Sequence, residues 1–395
     1  EPKTRKIGFL APVNYAYNDI YLFDGSFRLD GSSDFGRDKQ FAPFWSVGVG
    51  LNVHNYDFLK GHWLISRLKV RASYGSTGNV GFAPYTAITT FQTATDAWFF
   101  TGPAASLMAL GNSRLTWQTT YKLDVGFNIG LLNDKITLEG SYYRNETEDL
   151  IDDVKIPAYS GFTSYKENSG STLNEGFEIA VTSTLFQNKD WMVTFMANLS
   201  SNRSKITELS EEMNAYNETI LAEYEKEDSE YRDVLSRPLM LYYKGKSLSS
   251  IYAVRSEGID PANGRERFIK KNGMSTYTWD ANDQVVVGDT EPDAKGSFGI
   301  NVGWKGITLN AYFNYQWGGQ SYNSTLADKV ENAQISTQNV DKRVLSARWK
   351  NAGDVVPYYD LSKNPTQNPT SRFVQDDNRL DFTSLSIGYD FSRQL

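Results

Sequence analysis

Three carboxylates, Asp149, Asp152 and Asp153, lie near enough in the chain to serve as an acid and a base in hydrolysis of a glycosidic bond, which needs two carboxylates at a suitable separation. They fall where an alternating run ends, so they are read as solvated loop charges. Asp30-Gly31-Ser32-Ser33-Asp34-Phe35-Gly36 offers oxygen ligands for calcium but lacks the EF-hand spacing and its distal Glu, and is read as a turn. Gly75-Ser76-Thr77-Gly78-Asn79 has the glycines of a phosphate-binding loop without its Lys, and no helical pattern follows it. No Gly-x-Ser-x-Gly elbow occurs, and the 2 histidines, His54 and His62, are scant material for a zinc site or a His-based triad. The chain is therefore expected to be no enzyme and to carry neither cofactor nor metal.

Binding chemistry is better represented. Trp98-Phe99-Phe100, with Phe91 and Tyr85 nearby, offers flat apolar faces that stack on sugar rings or on the side chains of a hydrophobic peptide. The same rings would also serve to pack their loop against its neighbours or against a lid protein, and both readings stand. Trp98, Phe99 and Phe100 are the candidate substrate-binding residues.

The elements that would position them are strands. Aromatics make up 14% of the 395 residues, yet hydrophobic residues are only 40% and mean hydropathy is −0.49, a balance suited to strands with one apolar and one polar face. No run of about 18 apolar residues exists, which excludes a conventional transmembrane helix but not a membrane barrel, whose tilted strands need only about 9–11 residues each. The net charge of −7 and the lack of basic clusters argue against a nucleic-acid partner. The absence of Cys is compatible with the cell envelope.

Across 122–131, Leu123, Val125, Phe127, Ile129 and Leu131 alternate strictly with Lys122, Asp124, Gly126, Asn128 and Gly130. Leu132-Asn133-Asp134-Lys135 then reads as a tight turn into Ile136, Leu138, Gly140 and Tyr142. The unit repeats around Asn188-Lys189-Asp190 and around Lys305-Gly306. Long polar stretches, 80–115, 152–174, 207–246 and 323–372, join the opposite ends. Short turns on one side and long loops on the other mark a bacterial outer-membrane barrel. On one face of a strand Arg67, Lys69 and Arg71 align, costly in a dry core but cheap in a wet lumen. Trp45, Tyr74, Tyr142, Tyr143, Trp191, Trp304, Trp317 and Tyr389 sit near strand ends, as interfacial girdles require. The Glu-rich stretch 211–236 is expected to be a helix or a mobile lid, and 247–293 a folded part of the extracellular surface. About ten strands are counted in all.

Several segments carry a family resemblance. Phe27-Arg28-Leu29-Asp30-Gly31-Ser32-Ser33-Asp34-Phe35-Gly36, Phe44-Trp45-Ser46-Val47-Gly48 and Leu68-Lys69-Val70-Arg71-Ala72-Ser73-Tyr74-Gly75-Ser76-Thr77-Gly78-Asn79 resemble the SusC/RagA family of TonB-linked outer-membrane proteins. In the family's order follow Leu115-Thr116-Trp117-Gln118-Thr119-Thr120, Tyr142 through Ile151, Asn174-Glu175-Gly176-Phe177-Glu178, Gly258-Ile259-Asp260-Pro261 and Arg348-Trp349-Lys350-Asn351-Ala352-Gly353-Asp354. The resemblance implies an all-β chain, part of a 22-stranded antiparallel transmembrane β-barrel in the outer membrane of a Gram-negative bacterium, with long extracellular loops and short periplasmic turns. It implies TonB-dependent import of glycans or peptides with a SusD-like lipoprotein lid and the TonB complex as partners, and membrane lipid around the wall. Residues 1–395 are expected to be the C-terminal part of such a barrel, without plug or TonB-contacting segment and with the last strands apparently missing. Two rivals are an outer-membrane barrel acting as an adhesin and a secreted carbohydrate-active β-protein.

Overall fold

The structure, a computed structural model, describes residues 3–35, 39–79, 86–100, 102–109, 111–112, 114–155, 164–168, 170–226, 235–333, 335, 339–360, 362 and 367–391, with backbone alone at 94–97, 99, 152–155, 164–165 and 212. The strands are β1 (Lys6–Tyr17), β2 (Tyr21–Ser32), β3 (Phe41–Asn52), β4 (Ile65–Asn79), β5 (Thr90–Phe99), β6 (Gly102–Ala109), β7 (Gln118–Leu131), β8 (Ile136–Glu148), β9 (Ile151–Lys155), β10 (Ser164–Asn168), β11 (Ser171–Gln187) and β12 (Trp191–Glu208). After helix α1 (Glu211–Glu225) come β13 (Ser250–Ile259), β14 (Glu266–Ile269), β15 (Ser275–Thr276), β16 (Gln284–Asp289), β17 (Ala294–Trp304), β18 (Ile307–Trp317), β19 (Gln320–Tyr322), β20 (Val374–Asp376) and β21 (Arg379–Tyr389). The chain forms two compact units: residues 1–214 with 295–315 and 380–395, and residues 215–294 with 316–379.

The first unit is built on one sheet of 11 strands in the order β1-β2-β3-β4-β7-β8-β11-β12-β17-β18-β21. Each sheet strand pairs with the next sheet strand along the chain, an up-and-down meander. The register carries the period-two pattern from strand to strand. Val70 lies opposite Phe127, Ile129 opposite Leu138, and Leu138 opposite Val181, so one face is apolar. On the other face Arg71 reaches Asp124 at 3.3 Å and Arg67 reaches Asp134 at 2.9 Å, both pairs half-exposed. The apolar face is bare: Phe9, Phe23, Val49, Val70, Val125 and Ile179 are among many large apolar residues left exposed, and so large a patch marks a membrane or partner surface. From Leu123 to Leu131 the chain advances roughly 26 Å along the strand, or about 20 Å along the normal at a tilt near 40°, and the aromatics beyond its ends extend it toward the ~25 Å band of a membrane barrel. Among the described residues no helix is long and apolar enough to cross a membrane.

Several sequence expectations shift. The sheet has eleven strands rather than about ten; β1 escaped notice because Leu10 and Pro12 interrupt its polar positions. The 132–135 turn is a four-residue connection in which Leu132, Asn133 and Asp134 all take positive φ. Asp134 holds it by accepting Ser66 Oγ at 2.7 Å while its own N–H donates to that hydroxyl at 3.0 Å. Tyr143 belongs to the polar face rather than to a girdle, donating its hydroxyl to Asn202 Oδ1 at 2.9 Å. In β21, Phe382 packs on Phe313 of the apolar face whereas Gly388, of the same parity, faces Thr308 of the polar one, so the strand reverses between them.

The two ends of the sheet differ as expected. At one end the connections are 18–20, 53–64, 132–135, 188–190 and 305–306; Lys305 and Gly306 take the positive φ of a two-residue hairpin turn. At the other end run 33–40, 80–117, 149–170, 209–293 and 318–378, which hold the remaining strands and α1. The second unit contains a four-stranded sheet, β15-β14-β13-β16, over residues expected as folded outer surface, and its main core gathers Leu326, Val330, Val344, Tyr358 and Phe373. The Glu-rich stretch is helical over Glu211–Glu225.

Candidate functional site

β5 and β6 form a hairpin of their own, paired only with each other. Its tip pairs Trp98 with Pro103 and Phe99 with Gly102, the glycine supplying a φ of +134°. Trp98 is 73% exposed and Phe100 and Phe91 are also exposed, so Trp98 and Phe100 do not bury themselves in their own loop. They are presented outward on a hairpin, the arrangement a stacking surface needs. The Phe99 side chain and Tyr85 lie outside the described residues.

Of the carboxylates singled out in the sequence, the side chains of Asp152 and Asp153 lie outside the described residues. Asp149 takes φ +53° in the turn after β8, while Asp152 and Asp153 lie on β9 across from Glu167 and Lys166 of β10. Asp30-Gly31-Ser32 close β2 rather than forming a turn, the turn begins at Ser33, and Gly36 lies outside the described residues; Asp34 is buried and accepts Thr4 Oγ1 and Ser32 Oγ, each at 3.0 Å. Phe35 stacks on Trp117 at 4.6 Å and Phe44 meets Trp117 edge-on at 5.7 Å. A Cβ at Gly78 would come within 2.0 Å of the Phe44 ring. Four stretches that carry the family resemblance thus converge on one small core at the outer rim of the sheet, and their residue types follow from packing. His54 and His62 sit at the opposite end of the sheet from these, in the 53–64 turn, each bonded to backbone.

Within the second unit a cavity of about 500 Å³ opens between β14 and the segment leading to β20, lined by Arg265, Glu266, Tyr277, Trp279, Tyr359 and Arg372 among others. Its electrostatics centre on Arg372. The guanidinium grips Glu266 with two hydrogen bonds, Nε to Oε1 at 2.8 Å and Nη2 to Oε2 at 2.7 Å, and reaches Glu331 Oε1 at 2.7 Å. Burial alone would lower Arg372, but the two carboxylates more than offset it and hold the group above its ordinary range. Burial pushes the Glu331 carboxyl up, with Arg372 pulling partly back. One guanidinium thus holds both acids, while Glu331 Oε2 is buried without a hydrogen-bond partner among the described residues. The aromatic walls and polar rim suit binding. Nearby, Trp349 donates its indole N–H to Pro261 O at 2.9 Å, and Gly264, at φ +70°, leaves room for that ring. The segments Gly258–Pro261 and Arg348–Asp354 therefore clasp each other. Sequence reading missed the cavity, since Glu266, Glu331 and Arg372 are too far apart in the chain to form a recognisable motif.

An antiparallel meander with a bare apolar face, a charged opposite face, tight turns joining the strands at one end and long connections joining them at the other is the wall of a membrane β-barrel. The chain matches the TonB dependent receptor-like, beta-barrel family over residues 1–392 and belongs to it. It is 27% identical over 407 residues to TonB-dependent receptor P3 of Formosa agariphila, covering 98% of this chain and 39% of that protein. It is 25% identical over 411 residues to TonB-dependent receptor SusC of Bacteroides thetaiotaomicron, covering 98% of this chain and 38% of that one. A solved structure described as the RagAB peptide transporter superposes with a TM-score of 0.81 at 25% identity, covering 98% of this chain and 41% of the matched chain. The chain thus spans about two fifths of the length of these relatives.

Proposed function

We propose that this chain is the C-terminal wall portion of a TonB-dependent outer-membrane importer of large nutrients, with glycans or oligosaccharides as the first expectation and peptides as the second. The observation that carries it is the polarity of the meander: a lipid-ready outer face, a hydrated charged inner face, and long connections confined to one end. A passive wall needs no such elaboration; a receptor that must catch cargo outside the cell does. The relative titled a peptide transporter supports keeping peptides in view.

In this reading the strands supply the barrel wall, and cargo is held at the outer face. The Trp98 and Phe100 rings, with Phe99 beside them in sequence, offer a stacking surface to sugar or apolar side chain. A SusD-like lipoprotein closes over the outer end. The TonB complex supplies energy through a part of the receptor beyond this chain, and no covalent chemistry is asked of these residues. The test is to express the full-length gene in a host with and without TonB, fractionate the envelope, identify co-purifying proteins by mass spectrometry, and measure uptake of labelled oligosaccharides and oligopeptides. A stoichiometric lipoprotein with TonB-dependent uptake is expected. A detergent-independent soluble product without a partner would refute it.

A further inference from the structure

At the tight-turn end of the sheet one connection is out of scale. Residues 53–64, Val-His-Asn-Tyr-Asp-Phe-Leu-Lys-Gly-His-Trp-Leu, stand among connections of a few residues. They are ordered by their own bonds: Leu59 N and Lys60 N both donate to Tyr56 O at 2.9 Å, and His62 N donates to Leu59 O at 3.0 Å. Asn55 Nδ2 ties the turn to Asp19 O of the neighbouring turn at 2.9 Å. Yet its large rings are bare, with Phe58 and Trp63 each 74% exposed. An ordered turn that leaves such rings bare has a use for them outside the chain.

The rings continue the outer face. Tyr17 and Tyr21, both of the apolar series, lie 6.4 Å apart; Tyr56 meets Tyr21 edge-on at 6.3 Å with a hydroxyl bond of 2.9 Å; Phe58 stacks on Tyr56 at 5.7 Å. Trp63 lies two residues before Ile65, whose partner Leu131 is in the apolar series. Polar donors accompany them. His62 Nδ1 accepts the Leu64 and Ile65 N–H groups, both at 3.3 Å, which places the ring proton on Nε2 as an outward donor, and Lys60 is exposed two residues before His62. Apolar rings next to an N–H donor and an ammonium match the junction of acyl chain and phosphate in a phospholipid.

We propose that the 53–64 turn is a phospholipid-binding anchor in the periplasmic leaflet, with Phe58 and Trp63 at the acyl–glycerol level and Lys60 and His62 on the headgroup phosphate, preferring anionic lipid. It rests on the outer-membrane reading above and is continuous with the girdle that reading requires. The test reconstitutes the full-length receptor in vesicles where either phosphatidylcholine or phosphatidylglycerol carries bromine high on the acyl chains, and measures tryptophan quenching. Trp63→Phe is expected to remove part of the quenchable emission. Phosphatidylglycerol is expected to quench the Trp63 share better than phosphatidylcholine at equal mole fraction, and Lys60→Gln to cut that preference by about fivefold, the equivalent of the roughly 1 kcal/mol a cation near an anionic surface contributes. Unchanged quenching in Trp63→Phe, or equal quenching by both lipids in the unsubstituted protein, overturns the anchor. If neither the unsubstituted nor the Trp63→Phe protein is quenched, the membrane reading itself has failed, because Trp45, Trp191 and Trp304 should still meet lipid.

Discussion

Val70 lies between Lys69 and Arg71, yet a third cation there should be far less tolerable than its neighbours. Its register partner is Phe127, the middle of the Leu123–Leu131 run, which places it near the centre of the apolar band. It is 42% exposed on the face proposed to meet lipid, whereas Arg71 turns to the opposite face and pairs with Asp124. An arginine on the lipid face near the midplane costs about 2–4 kcal/mol. Val70→Arg should therefore lower the folding equilibrium of the full-length receptor by roughly thirty-fold to several-hundred-fold. Ser73→Arg, on the inner face of the same strand, should cost under about 1 kcal/mol, since a wet lumen solvates the charge. Denaturant titration in lipid vesicles, followed by the heat-dependent gel shift of folded barrels, reads both. Equal costs for the two substitutions would refute the assignment of faces.

Arg372→Met leaves Glu266 and Glu331 without their shared cation, and breaking a buried pair in this way should destabilise the cavity region by about 3–5 kcal/mol, seen as faster amide exchange in β14 and around residue 331. Glu331 has a pH signature of a definite sign. Its carboxyl is raised in the folded state, so the fold holds a proton that the unfolded chain releases, and stability falls as pH rises from the ordinary carboxylate value through the raised one. Glu331→Gln cannot ionise and should flatten that decline in a thermal-stability series across pH. Gly78→Ala drives a methyl into Phe44 and should cost about 1–3 kcal/mol in the same denaturant assay, with Phe44→Leu giving partial relief. Trp98→Ala with Phe100→Ala should weaken cargo binding at least tenfold while the receptor still assembles in the outer membrane, checked by isothermal titration with the imported oligomer.

Period two is a property of single strands, and that is why the wall was legible. Leu123 to Leu131 announced both the strand and its faces, and Lys305-Gly306 announced its turn, because each signal lies within a dozen residues. β1 was lost where Leu10 and Pro12 blur one parity, and the reversal in β21 is visible only once Phe382 and Gly388 are seen against β18. The candidate site was less legible. Aromatics at 98–100 suggested a stacking surface and the hairpin now displays Trp98 and Phe100, but the cavity depends on Glu266, Glu331 and Arg372 meeting across distant segments. No local pattern encodes such a meeting. The family motifs were legible as strings without a reason; Phe35, Phe44, Gly78 and Trp117 supply the reason for several of them, a shared packing knot.

The most direct test of the central claim uses the absence of Cys from the chain. Single cysteines placed in turn at positions 68 to 74, in the full-length receptor assembled in outer membranes and freed of any other cysteine, are probed with a membrane-impermeant maleimide after the outer face is opened by osmotic shock. A lipid-facing thiol is shielded and a lumen-facing one is wet, so labelling is predicted to alternate, strong at 69, 71 and 73 and weak at 68, 70, 72 and 74. Uniform labelling along the strand, or recovery of the receptor outside the membrane fraction, would contradict the account.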